Sequence, residues 1–144
     1  MIFIIISSVI LLDQATKFLA SRFLQINNSV PLIKNFFHLT LVHNRGAAFG
    51  MFQNQLFMFL LISVFAITLI ICSLRDKKNS LIFQVSLSLI LGGAIGNLID
   101  RARFGFVIDF LDLRVWPVFN LADSVITIAA LLLSWELLLK KNAT

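Results

Sequence analysis

Two stretches of 19 residues, 56–74 and 81–99, contain no charged side chain, and no other feature restricts the possible folds so tightly. As an α-helix, a run of that length rises about 28 Å, close to the roughly 30 Å of hydrocarbon in a bilayer. Backbone amides in lipid must be satisfied within the spanning element. Such runs therefore read as helices and are too long for barrel strands. Two further stretches, 2–24 and 121–139, are apolar apart from Asp13, Lys17 and Arg22 in the first and Asp123 and Glu136 in the last. Composition agrees with a membrane protein. The 144 residues are 59% hydrophobic and 13% charged, whereas soluble domains carry about 25% charge.

That excess also excludes a disordered chain, and a lone cysteine, Cys72, excludes a disulfide scaffold. A net charge of +5 would suggest nucleic acid in a soluble protein. Here the basic residues gather at helix ends and form no run longer than Lys77-Lys78, so no nucleic-acid partner is expected. The expected fold is an all-α membrane protein with four transmembrane helices in a single domain, 1–144. A small extracytoplasmic β-sheet is expected between helices 1 and 2, within the outer segment of about 25–55. The strand signal is Phe36-Phe37-His38-Leu39-Thr40-Leu41-Val42-His43, aromatic and β-branched, bounded by Asn35 and by Asn44-Arg45-Gly46.

A cleaved signal peptide is the competing reading of 2–24. It lacks a basic start, and Asp13 and Lys17 stand where a small-residue cleavage site belongs. Four spans put both termini and the tight loop 75–80 on one side, and the connections 25–55 and 100–120 on the other. Lys and Arg divide evenly: Arg75, Lys77, Lys78, Lys140 and Lys141 against Lys34, Arg45, Arg101, Arg103 and Arg114. Charges that hug the helix ends favour a cytoplasmic loop and tail.

In so apolar a chain the seven acids carry the information, because an ionisable side chain in a membrane helix usually has a partner or a task. Asp76 sits in a basic loop, and Glu136 pairs at i,i+4 with Lys140. Asp13 and Lys17 have the same spacing, which suggests a buried pair docking the first span. Asp100, Asp109, Asp112 and Asp123 come from the outer connection and the helix start after it. Asp123 has two explanations: a cap for orphan amides in a first helical turn, or one member of a carboxylate pair with Asp109. Two carboxylates at an apolar boundary can share one proton, activate water and protonate a leaving amine, as peptide hydrolysis requires. Gly92-Gly93-Ala94-Ile95-Gly96 reads as a close helix contact. Zinc-peptidase and serine-elbow signatures are absent, and His38 and His43 do not share a strand face, so no metal is expected.

The blocks Asp13-Gln14-Ala15-Thr16-Lys17, Asn44-Arg45-Gly46-Ala47-Ala48-Phe49-Gly50, Gly92-Gly93-Ala94-Ile95-Gly96-Asn97-Leu98-Ile99-Asp100-Arg101, Val107-Ile108-Asp109-Phe110 and Phe119-Asn120-Leu121-Ala122-Asp123 resemble, in order, the motif set of the lipoprotein signal peptidases, or signal peptidase II. The resemblance implies an intramembrane aspartic endopeptidase of the bacterial cytoplasmic (inner) membrane. Such an enzyme cleaves prolipoproteins before a cysteine that carries diacylglyceryl, with no cofactor. It puts the catalytic pair on Asp109 and Asp123, supporting polar groups on Asn44, Asn97, Arg101 and Asn120, and structural positions on Asp13, Lys17 and Asp100. The implied partners are prolipoprotein and membrane lipid, with a monomeric chain, cytoplasmic termini and an active site toward the outer face. A small four-helix transporter or channel subunit is the alternative from another class. A structural subunit in which Asp123 is only a cap is a third.

Overall fold

The computed structural model describes residues 1–46, 55–76 and 80–141. Lys77, Lys78 and the Ala47-Ala48-Phe49-Gly50 part of the second motif lie outside them. Among the described residues, four helices are long and apolar enough to cross a membrane: α1 (Ile2–Phe23), α2 (Leu56–Leu74), α3 (Leu81–Phe104) and α4 (Leu121–Lys141).

The helices divide sharply by burial. No residue of α2 is buried: one side is half-buried against α3 and the rest faces outward, as it would toward lipid. The middle of the bundle belongs to α3, which packs against all three other helices and buries nine residues. Its glycines explain how closely the neighbours approach. A Cβ on Gly92 would lie 2.8 Å from Cβ of Val9 in α1, and one on Gly93 would lie 2.8 Å from the carbonyl oxygen of Ala122 in α4. One on Gly96 would meet the Asp13 carboxylate at 2.5 Å. The small residues thus serve helix contact on two opposite flanks, as their spacing suggests.

Helix ends follow local chemistry. Ser80 caps α3, its Oγ accepting from the Phe83 N–H, and also bonds Glu136 of α4. Glu136 in turn pairs with Lys140 at 2.7 Å. The other end of α3 stops at Gly105, whose φ of +78° is the left-handed turn that closes helices. This end runs past the expected boundary at 99. Asp100 and Arg101, assigned from sequence to the outer connection, are in fact in the last turns of a helix, because nothing before Gly105 breaks it.

Three antiparallel strands, β1 (Ser29–Ile33), β2 (Phe37–Asn44) and β3 (Val107–Asp112), form a sheet in that order. β2 begins one residue later and ends one later than the sequence signal. β1 holds Pro31, which suits an edge strand, and β1 is an edge. The third strand comes not from the first connection but from the second, between α3 and α4. Leu41, Ile108 and Phe110 pack with Ala20 and so seat the sheet on the end of α1.

Candidate active site

Strand pairing brings the second connection beside the first, with Val42 opposite Asp109 and Asn44 opposite Val107. Asp109 is 1% exposed, and each of its carboxylate oxygens accepts one amide hydrogen bond. Asn44 Nδ2 donates to Oδ2 at 2.9 Å and Asn120 Nδ2 to Oδ1 at 2.7 Å. Asn120 immediately precedes α4, where it also closes a reciprocal cap with Asp123. The Asp123 N–H donates to Asn120 Oδ1 at 3.0 Å, and the Asn120 N–H donates to Asp123 Oδ2 at 3.3 Å. This arrangement is a capping box with an aspartate in the place of the usual glutamate. The capping explanation of Asp123 is therefore correct as far as it goes. Its other oxygen, Oδ1, is turned elsewhere and accepts from Asn97 Nδ2 at 2.8 Å.

The orientation of Asn97 follows from its own acceptor. Its Oδ1 receives Lys17 Nζ at 2.9 Å and Asn120 Nδ2 at 3.1 Å, so its amide protons must face Asp123. Both aspartates line one cleft of about 270 Å³ with Asn44, Asn97 and Arg101, walled by Trp116 and Ile126. Asn120 bridges the two carboxylates from below. Arg101 stacks on Phe59 of α2, with Cζ 4.9 Å from the ring centroid, and lies within Coulombic reach of both acids.

Burial, and after it the charge of Asp123, push the Asp109 carboxyl up to about 7, against the opposing pull of the Asn44 and Asn120 hydrogen bonds. Asp112, three residues along the strand, behaves oppositely. Burial alone would raise it. The Thr40 hydroxyl and the backbone and guanidinium of Arg114 outweigh that and hold it below the usual carboxylate range.

Directly behind the cleft is a second polar group. Lys17 Nζ lies 2.9 Å from Asp13 Oδ2 and 2.9 Å from Asp100 Oδ2. Asp13 Oδ1 accepts the Ala122 N–H at 3.0 Å, so a carboxylate on α1 caps the start of α4. Asp100 Oδ2 also accepts the Ile108 N–H at 3.1 Å, which pins β3. Gln14, to which sequence reasoning gave no role, donates to Asp100 Oδ1 at 2.9 Å. Its place within the first motif was the available signal. Phe59 and Trp116 were missed as well, Phe59 because an aromatic in an apolar run looks like any other lipid-facing residue, and Trp116 because it sits in a short connection with no local pattern around it.

The family model described as Signal peptidase (SPase) II matches residues 5–139. A lipoprotein signal peptidase of Halothermothrix orenii is 48% identical over 133 residues, 92% of this chain and 92% of its own. One from Caldanaerobacter subterraneus subsp. tengcongensis is 49% identical over 142 residues, 97% of each chain. Among solved structures, a bacterial membrane enzyme determined by the in meso method at 2.3 Å resolution superposes with a TM-score of 0.93 at 31% identity. That match covers 99% of this chain and 90% of the other.

Proposed function

This chain belongs to the signal peptidase II family, and from that premise we propose that it removes signal peptides from diacylglyceryl-modified prolipoproteins, cutting before the lipid-bearing cysteine with water activated by Asp109 and Asp123. The supporting observation is the placement of two carboxylates, Asp109 buried and Asp123 half-buried, on one cleft, each held by neutral amide donors. No cation closes an ion pair with either acid among the described residues. Like charges in a poorly solvated site favour a single shared proton. The ionised member takes a proton from water lodged between them. The protonated member hydrogen-bonds the scissile carbonyl and then protonates the departing amine. Asn44, Asn97, Asn120 and Arg101 hold the extended substrate backbone and the developing tetrahedral centre.

The same reading places the sheet and the cleft toward the outer face of the bacterial cytoplasmic membrane, with both termini in the cytoplasm and the chain acting as a monomer. Water then reaches the aspartates while surrounding lipid accommodates the substrate's diacylglyceryl chains. Purified protein in detergent, given a lipid-modified prolipoprotein, tests the reaction. The wild type releases the signal peptide, and Asp109→Asn and Asp123→Asn do not. Release by either variant at near the wild-type rate defeats the paired-carboxylate mechanism. A transporter or channel subunit would cleave nothing at all.

A further inference from the structure

We infer that Phe59 of α2 is a positioning residue for Arg101, holding the guanidinium over its ring so that the N–H edge stays open to substrate. The inference rests on the reading above, in which Arg101 touches the substrate backbone.

Arg101 stands beside Asp109 and Asp123, and a guanidinium near two carboxylates would ordinarily close a bidentate ion pair. Among the described residues it closes none and donates no hydrogen bond; its guanidinium lies instead over the Phe59 ring, with Cζ 4.9 Å from the centroid. An aromatic face attracts the cation through its quadrupole without using any of the five in-plane N–H donors. A carboxylate in its place would consume two donors and pin an aspartate in its charged form. The ring satisfies the charge and leaves the hydrogen-bonding capacity unspent. It also gives α2 a connection to the cleft, although α2 buries no residue of its own. Phe59 is half-buried and one turn into the helix, its N–H bonded to the Gln55 carbonyl at 3.1 Å, so the backbone that carries the ring is fixed.

The test is a double-mutant cycle on prolipoprotein cleavage in detergent. Phe59→Leu keeps an apolar side chain of similar length for lipid and should lower kcat/KM about fivefold. Phe59→Trp, which offers a stronger face to the cation, should restore it. In an Arg101→Gln background, itself impaired, Phe59→Leu should cost nothing further, because there is no guanidinium left to hold. An impaired Arg101→Gln on which Phe59→Leu adds its full effect overturns the inference and makes Phe59 a packing residue. So does a Phe59→Leu variant with unchanged kcat/KM. If Arg101→Gln cleaves as well as wild type, the substrate-contact reading of Arg101 falls, and the inference goes with it.

Discussion

Two groups of acids gather around the last turns of α3, Asp13 with Asp100 and Asp109 with Asp123, and they are built on opposite terms. Asp13 and Asp100 face an ammonium: Lys17 reaches both at 2.9 Å and donates to Asn97 as well. Their remaining acceptors go to the Ala122 N–H, the Ile108 N–H and Gln14, so every strong donor has an assigned task in holding α1, α3, β3 and α4 together. Asp109 and Asp123 receive only neutral amide donors and line open space. A compensated charge is stable and inert. A pair with no direct ion-pair contact is a place where a proton can be held and handed on. On the proposed mechanism the same residue type serves as scaffold in one group and as reagent in the other, and the difference in direct contact is a single lysine.

Neutralising one member of each group should break the comparison in different measurements. Asp109→Asn and Asp123→Asn should each lower kcat for prolipoprotein cleavage by about a thousandfold, since positioned acid–base groups contribute on that scale. Thermal unfolding in detergent should stay close to wild type. Asparagine can still accept at the cap, so Asp123→Asn should cost about 1 kcal/mol or less. Lys17→Met should do the reverse. It strands Asp13 and Asp100 without a counter-charge where both are almost wholly buried, and loss of one partner of a buried pair costs about 3–5 kcal/mol. The unfolding temperature should fall sharply. A Lys17→Met protein as stable as wild type would show that the first group is not the scaffold described here.

The two groups were unequally legible in the sequence. Asp13 and Lys17 announce each other through i,i+4 spacing, and the glycine stripe of α3 announces a close contact. Both signals are local. The four spans were visible for the same reason, as unbroken apolar length. The site itself is assembled from positions as far apart as Asn44 and Asp123, and its Asn44–Asp109 bond alone spans 65 residues. The motif resemblance could nominate Asp109, but its strand was missed: Val107–Asp112 is six residues long, and its partner β2 lies far upstream. β1 was missed because Pro31 and the asparagines before it read as loop. Nothing local could show that Asp13 caps a helix more than a hundred residues later, because that hydrogen bond exists only once α1 and α4 have docked on α3. Helix extent failed in a simpler way. Arg101 and Arg103 look like an end to the apolar run, yet the helix continues to the glycine that can turn it.

Gly96 is where scaffold and helix contact meet, and a methyl group there sharpens the comparison. Gly96→Ala would place a Cβ 2.5 Å from Asp13 Oδ2. The carboxylate belongs to a saturated network, so it has little freedom to move. Overpacking of this kind costs about 1–3 kcal/mol, and calorimetry of the purified variant should find a loss in that range. Gly105→Ala meets no close neighbour, its nearest contact being Leu56 Cδ2 at 3.8 Å. Its penalty should instead be the roughly 1 kcal/mol of a side chain held in a left-handed turn. Equal losses at the two glycines would mean that the Asp13 network gives way more easily than its hydrogen bonds suggest.

The smallest expected effect concerns where the pair holds its proton. Burial raises Asp109 to about 7 from an ordinary value of 3.8. Its protonated form is therefore favoured by the fold, and that contribution is complete below about pH 3.8 and lost as pH rises through about 7. On the proposed mechanism cleavage needs one proton in the pair, so kcat/KM should decline along a basic limb centred near pH 7. Asn44 donates to the charged carboxylate and so opposes the upward pull. Removing that bond with Asn44→Ala should move the limb upward by about one pH unit, the worth of a hydrogen bond to a charged group. Asn44 also lines the cleft proposed to hold the substrate, so the height of the profile should fall as well. Height and position are separate readings: weaker substrate binding lowers the curve without sliding it along the pH axis. A limb that stays in place, or moves down, would mean that the proton governing cleavage does not reside on Asp109.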